Sequence, residues 1–121
     1  MKILIIEDST SQIRLLNKIV LQIDGIEPIL AEDALEGFAI LRAIPSIGLI
    51  ILDNDMPYIN GFDFLKKIKN DPLLKKIPIA FSTANANTEP FINAGAAECF
   101  IKPYNIEDFK RFIDEVKEGK K

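Results

Sequence analysis

Apolar residues along this chain fall into two alternating kinds of stretch. Short runs of β-forming residues, KILIIE at 2–7, EPILA at 27–31, GLIILD at 48–53, IPIAFS at 77–82 and ECFI at 98–101, are separated by segments of helical period. In the first of these segments Ile13, Leu16, Ile19, Val20 and Ile23 share one face, with Ser9 to Ser11 as N-caps and Gly25 as a stop. The second opens at Asp33 with Glu36 three residues on, a capping-box spacing, and runs to about Ile44 before Pro45. The third carries Phe62, Leu65 and Ile68 after Gly61 and ends near Asn70-Asp71-Pro72. The last sets Phe109, Phe112, Ile113 and Val116 on a stripe after Asn105, a suitable cap.

One interval breaks the rhythm. Between strands four and five, TANANTEPFINAGA leaves room only for a short or irregular helix, about Thr88 to Ala94, with Pro90 tolerable in its first turn. Strands separated by helices call for an α/β fold: a doubly wound, five-stranded parallel sheet with helices on both faces. Runs such as ILII and LIIL, apolar without alternation, suit strands buried on both sides.

Composition narrows the picture. With 121 residues, 48% hydrophobic, the chain is enough for one domain over 1–121 and has no repeat or low-complexity linker. The single Cys99 cannot form an internal disulfide, which favours a reducing, cytoplasmic setting. MKILIIED is too short in its apolar part for a signal peptide, and no run approaches membrane-spanning length. Net charge is −3 without a concentrated basic face, so neither nucleic acid nor membrane insertion is expected.

The chemistry gathers at the strand ends. In an open parallel sheet ligands bind at the carboxyl edge, and there strand one ends in Glu7-Asp8, strand three in Asp53, strand four in Ser82-Thr83 and strand five in Lys102-Pro103. Carboxylates that close repel one another by roughly 4 kcal/mol per pair at about 4 Å and intermediate dielectric unless a cation lies among them. With no His, the all-oxygen set suits Mg²⁺ or Mn²⁺ rather than zinc. An ion so held keeps positions open for phosphoryl oxygens, to which Lys102 would add positive charge and Thr83 a hydroxyl. A carboxylate nucleophile can accept such a group as an acyl phosphate.

These motifs, the ED pair at 7–8, LDNDMP with Gly61 beyond it, STA at 82–84 and IKPY at 101–104, resemble a response-regulator receiver domain of the stand-alone, chemotaxis type. The resemblance spans the whole chain. It implies a flavodoxin-like receiver fold of strand order 2-1-3-4-5, an order that the residues themselves do not dictate. It also implies a phosphorylation-dependent switch rather than an enzyme, with only self-catalysed phosphoryl transfer and autodephosphorylation. Asp53 would take its phosphoryl group from a phosphohistidine of a partner histidine kinase or phosphotransfer protein. Asp8 and Glu7 would hold Mg²⁺ with Asp53 and the backbone carbonyl of Asp55. Thr83, Ala84 and Lys102 would receive the phosphoryl group, Lys102 across a Lys-Pro peptide that is usually cis, and Asp55 and Asn85 would tune its lifetime from the site's mouth. Output would be altered contact with a downstream target protein, with no output domain in the chain.

Two departures from the family pattern stand out. The switch position three residues before the lysine, commonly aromatic, is Cys99, and the two-residue strand period turns Phe100 to the opposite side. The fourth helix is about one turn short, which suggests that the 85–94 segment orders on phosphorylation. Three rival readings share parts of this pattern. An aspartyl-nucleophile phosphatase would use LDND as a DxD pair, but its second acidic pair should follow the lysine, whereas here it precedes at 7–8. A flavin binder would need a phosphate-cradling first loop, and EDSTSQ places two acids there. A receiver-fold binding module acting without phosphorylation would not require the full set of site residues.

Overall fold

Each apolar run of the sequence becomes a strand of one parallel sheet. The computed structural model describes all residues 1–121, and its elements alternate strictly: β1 (Lys2–Ile6), α1 (Thr10–Leu21), β2 (Glu27–Ala31), α2 (Ala34–Ala43), β3 (Ile47–Asp53), α3 (Gly61–Lys69), β4 (Ile79–Thr83), α4 (Glu89–Asn93), β5 (Glu98–Ile101) and α5 (Ile106–Lys117). The order across the sheet is β2-β1-β3-β4-β5, every pair parallel, as the resemblance implied. No helix is long and apolar enough to cross a membrane.

Both faces of the sheet are covered, which is why the central strands lack alternation. Ile3, Ile5, Leu49 and Ile51 pack under α1 and α5 with Ile13, Leu16, Phe109 and Phe112. Leu4, Ile6, Ile50 and Leu52 pack on the other side with Leu41, Phe64, Phe81 and Phe91. Caps fall where side-chain oxygens precede the apolar stripes: Asp33 accepts from Glu36 N at 2.8 Å and Asn105 from Glu107 N at 2.8 Å.

Several boundaries and one helix face differ from expectation, among them the start of β3 at Ile47 rather than Gly48. β4 begins at Ile79 rather than Ile77, because Pro78 has no N–H for the ladder and only accepts, from Ile50 N at 3.0 Å. β1 stops at Ile6, although Glu7 N still bonds Ala31 O at 3.1 Å. In α3 the buried stripe is Phe64, Leu65 and Ile68, whereas Phe62 lies half-buried at the flank, its ring nearly perpendicular to that of Phe91. Gly61, Phe64, Leu65 and Ile68 fall on one face at the helical period, which turns Phe62 to its edge.

The short fourth helix is as the sequence indicated. α4 has five residues and no side-chain cap, and Pro90 sits in its first turn. A helix that short has no stability of its own, so its position depends on packing. Phe91, buried against Phe81 at 4.7 Å between ring centroids, is the anchor.

Candidate functional site

The carboxyl edge of β1 and β3 brings three acids together. One carboxylate oxygen from each of Glu7, Asp8 and Asp53 lies within 4.8 Å of the others. Glu7 and Asp53 are buried and Asp8 is exposed at the mouth. Glu7 Oε1 accepts from Ser9 N at 3.0 Å, while Glu7 Oε2 is buried with no hydrogen-bond partner. Burial, joined by the Asp53 charge, pushes the Glu7 carboxyl up to about 7. Asp53 is raised too, first by burial and then by Asp55 and Asp8, against the lowering pull of Lys102.

A buried acid pair with one oxygen orphaned is a site built for a cation. The oxygen donors suit a hard divalent ion, which would remove both the repulsion and the unpaired oxygen. Glu7, Asp8 and Asp53 therefore fit the metal expected there.

Lys102 completes the cluster from β5. Its Nζ lies 3.4 Å from Asp53 Oδ1, 4.0 Å from Glu7 Oε2 and 2.6 Å from Gln12 Oε1. Its backbone N donates to Thr83 O at 2.7 Å, and the Lys102-Pro103 peptide is cis. Thr83 is buried, with its Oγ1 accepting from Asn85 N at 3.1 Å. Ala84 and Asn85 follow on an exposed loop, where Asn85 Oδ1 accepts from Asn87 N at 2.9 Å. Asp55 is exposed, near enough to raise Asp53. The loop after Asp53 is pinned by Gly61 N bonding Asn54 O at 2.9 Å and Phe62 N bonding Asn54 Oδ1 at 3.2 Å.

Gln12 escaped sequence reasoning. A glutamine in the first turn of an amphipathic helix looks like any solvated polar residue, and only the fold brings it to a lysine 90 positions away. At the switch position Cys99 is half-buried among the residues packed on the α3 and α4 side, with Phe100 on the α1 and α5 side, as the strand period required. Burial, then Glu98, raises the Cys99 thiol to about 11, so it is no reactive thiolate.

The profile of the response regulator receiver domain matches residues 3–114. The chain belongs to this family. Among curated relatives, the receiver is 30% identical to the chemotaxis protein CheY1 of Helicobacter pylori over 120 residues, covering 96% of each chain. Among solved structures it superposes on the chemotaxis response regulator CheY4 of Vibrio cholerae with a TM-score of 0.83 at 29% identity, covering 95% of this chain and 97% of that one. The receiver domain of a DNA-binding response regulator from Colwellia psychrerythraea gives a TM-score of 0.90 over 98% of both chains, a likeness of fold at 24% identity. As a receiver of CheY-like type, the protein is a phosphorylation-dependent signalling switch rather than a conventional enzyme.

Proposed function

We propose that Asp53 is the phosphoacceptor of this receiver. The carrying observation is that Asp53, within 4.8 Å of the Glu7 and Asp8 carboxylates, also makes the nearest carboxylate contact to the Lys102 ammonium, 3.4 Å against 4.0 Å for Glu7. An oxygen of Asp53 attacks the phosphorus of a phosphohistidine on a histidine kinase or phosphotransfer protein. The new O–P bond replaces the N–P bond, and the departing imidazole takes up a proton. Glu7, Asp8, Asp53 and the Asp55 carbonyl hold Mg²⁺, which when bound neutralises phosphoryl charge. Lys102 leaves Gln12 for the phosphoryl oxygens, and Thr83 turns its hydroxyl from Asn85 N to donate to another. Ala84 leaves the approach unobstructed, while Asp55 and Asn85, exposed at the rim, set access for the hydrolytic water. The single receiver domain acts in the cytoplasm, and its output is altered contact with a downstream target protein.

Incubation with acetyl phosphate and Mg²⁺ followed by intact mass measurement tests this reading. One phosphoryl mass should be gained by the wild type and lost in Asp53→Asn and with a chelator. A wild type that gains no mass would favour a binding module acting without phosphorylation.

A further inference from the structure

Ser82 is the lateral neighbour of Asp53 across the sheet. The register pairs the two residues directly. Ile51 and Ala80, two positions before each, belong to the core under α1 and α5, so by the two-residue period both side chains leave the same face. Neighbouring strands lie about 4.8 Å apart, which places the two residues side by side on that face with no hydrogen bond between them. Ser82 is 2% exposed, yet its Oγ has no hydrogen-bond partner. A buried hydroxyl without a partner is costly and calls for a role.

Tyr104 supplies the second observation. Its ring packs on the same face, 5.6 Å from Phe100 and 5.4 Å from Phe109 between centroids. The phenol approaches Ser82, short of full hydrogen-bond geometry, and feels both burial and the charge of Glu7. On this face, then, Glu7 and Ser82 each carry one buried polar atom without a partner, and the Tyr104 phenol lies on the Ser82 side.

We infer that Ser82, backed by Tyr104, is a positioning residue for the phosphoacceptor, fixing the orientation of the Asp53 carboxylate during phosphoryl transfer. The inference rests on Asp53 being that acceptor. During transfer the Tyr104 hydroxyl closes on Ser82 Oγ, donates to it and orients it, so that the Ser82 proton is directed to the inner oxygen of Asp53. Lys102 does not perform this task, because its ammonium lies closer to Gln12 than to Asp53. With the inner oxygen engaged, the outer one faces the incoming phosphorus. Thr83, one residue on, points to the other face and serves the phosphoryl oxygens instead.

The chain has two tyrosines and no tryptophan, so Tyr58→Phe leaves Tyr104 as the only emitter above phenylalanine. In that background, labelling by acetyl phosphate with Mg²⁺ is followed by intact mass for the parent, Ser82→Ala, Ser82→Thr and Tyr104→Phe. Ser82→Ala should label about tenfold more slowly, the effect of one hydrogen bond, and Tyr104→Phe about threefold more slowly. Ser82→Thr, which keeps the hydroxyl, should label at the parent rate. Beryllofluoride with Mg²⁺ should change Tyr104 emission in the parent and in Ser82→Thr but not in Ser82→Ala, whose urea midpoint should be no lower than the parent's. Parent-like labelling in both Ser82→Ala and Tyr104→Phe, or an emission response that survives in Ser82→Ala, overturns the inference alone. A parent that gains no phosphoryl mass overturns the Asp53 assignment and this inference together.

Discussion

The Lys102 ammonium lies 2.6 Å from Gln12 Oε1 and 3.4 Å from Asp53 Oδ1, so a neutral amide holds the cation nearer than the carboxylate does. Gln12 thereby parks Lys102 beside the acceptor rather than on it. Removing the amide in Gln12→Ala should let the ammonium close on Asp53 and lower its pKa. Carboxyl carbon NMR titration of the Asp53 resonance checks this; an unmoved midpoint counts against the parking role. Stability should change by no more than about 0.5 kcal/mol, since the amide bond is exposed.

Glu7 makes folding pH-dependent, and the sign follows from its elevated pKa. The fold raises this carboxyl from 4.5 to about 7, so its protonated form is favoured in the native state. Its contribution is fully present below the unfolded pKa and is lost as pH rises through the folded one, amounting to about 3 kcal/mol. Without divalent cations, urea unfolding of the wild type should weaken between pH 4.5 and 7 relative to Glu7→Gln, in which the group does not titrate. Mg²⁺ should restore the loss near pH 8, where the carboxylate is free to ligate, and do little near pH 5.

Much of this site was legible because strand ends are fixed by apolar runs. ILII must stop before Glu7 and LIIL before Asp53, and Lys102 follows ECFI, so three strands deliver acid, acid and ammonium to one edge. Cys99 and Phe100 were separable by the strand period alone. What stayed hidden depends on contacts between distant segments or on a phase that sequence leaves open. Phe62 and Phe64 are both apolar and two apart, and only packing on the sheet decides which one faces the core. Ser82 and Thr83 leave opposite faces by the strand period, but only the Asp53–Ser82 register shows which of them lies beside the acceptor. Gln12 carries no local signal at all.

Gly61 is held close against the acceptor loop. A Cβ there would lie 2.6 Å from Asp53 O and 2.8 Å from Asn54 Cα, both backbone atoms, and 2.9 Å from the Phe81 ring. Backbone cannot give way without moving Asp53, so Gly61→Ala should cost about 1–3 kcal/mol, as overpacking does. Acetyl phosphate labelling should fall with it. Chemical denaturation and intact mass on the same sample check both parts, and wild-type values in both would show that the loop relaxes freely.

Tyr58 is the one non-glycine residue with positive φ, at 71°, and its side chain is 78% exposed. The left-handed conformation costs an L-residue roughly 1–2 kcal/mol, and this exposed ring recovers little of it by packing. Tyr58→Gly removes the strain but adds unfolded-state entropy, for a net gain of about 0.5–1 kcal/mol. Urea unfolding should show a higher midpoint with unchanged slope; a lower midpoint would mean that the ring contributes contacts worth more than the strain.

The β4–α4 segment should respond most to phosphorylation. Residues 84–87 are exposed, and the Thr83 hydroxyl that anchors their turn, through Asn85 N at 3.1 Å, is the same hydroxyl that a phosphoryl group would recruit. Beyond them α4 has no cap and one buried anchor, Phe91, whose ring contributes about 2–3 kcal/mol of burial. Moving the Thr83 hydroxyl onto a fixed phosphoryl oxygen therefore lets the turn re-form against the filled site while Phe91 keeps the helix on the sheet, so the segment tightens between two fixed points. With an aromatic absent at Cys99, this loop is the route left on the α3 and α4 side. Amide relaxation and hydrogen exchange with Mg²⁺ and beryllofluoride should show 85–94 becoming more ordered, with Phe91 protected in both states. Unchanged mobility across 85–94 would rule out ordering of this segment as the signal.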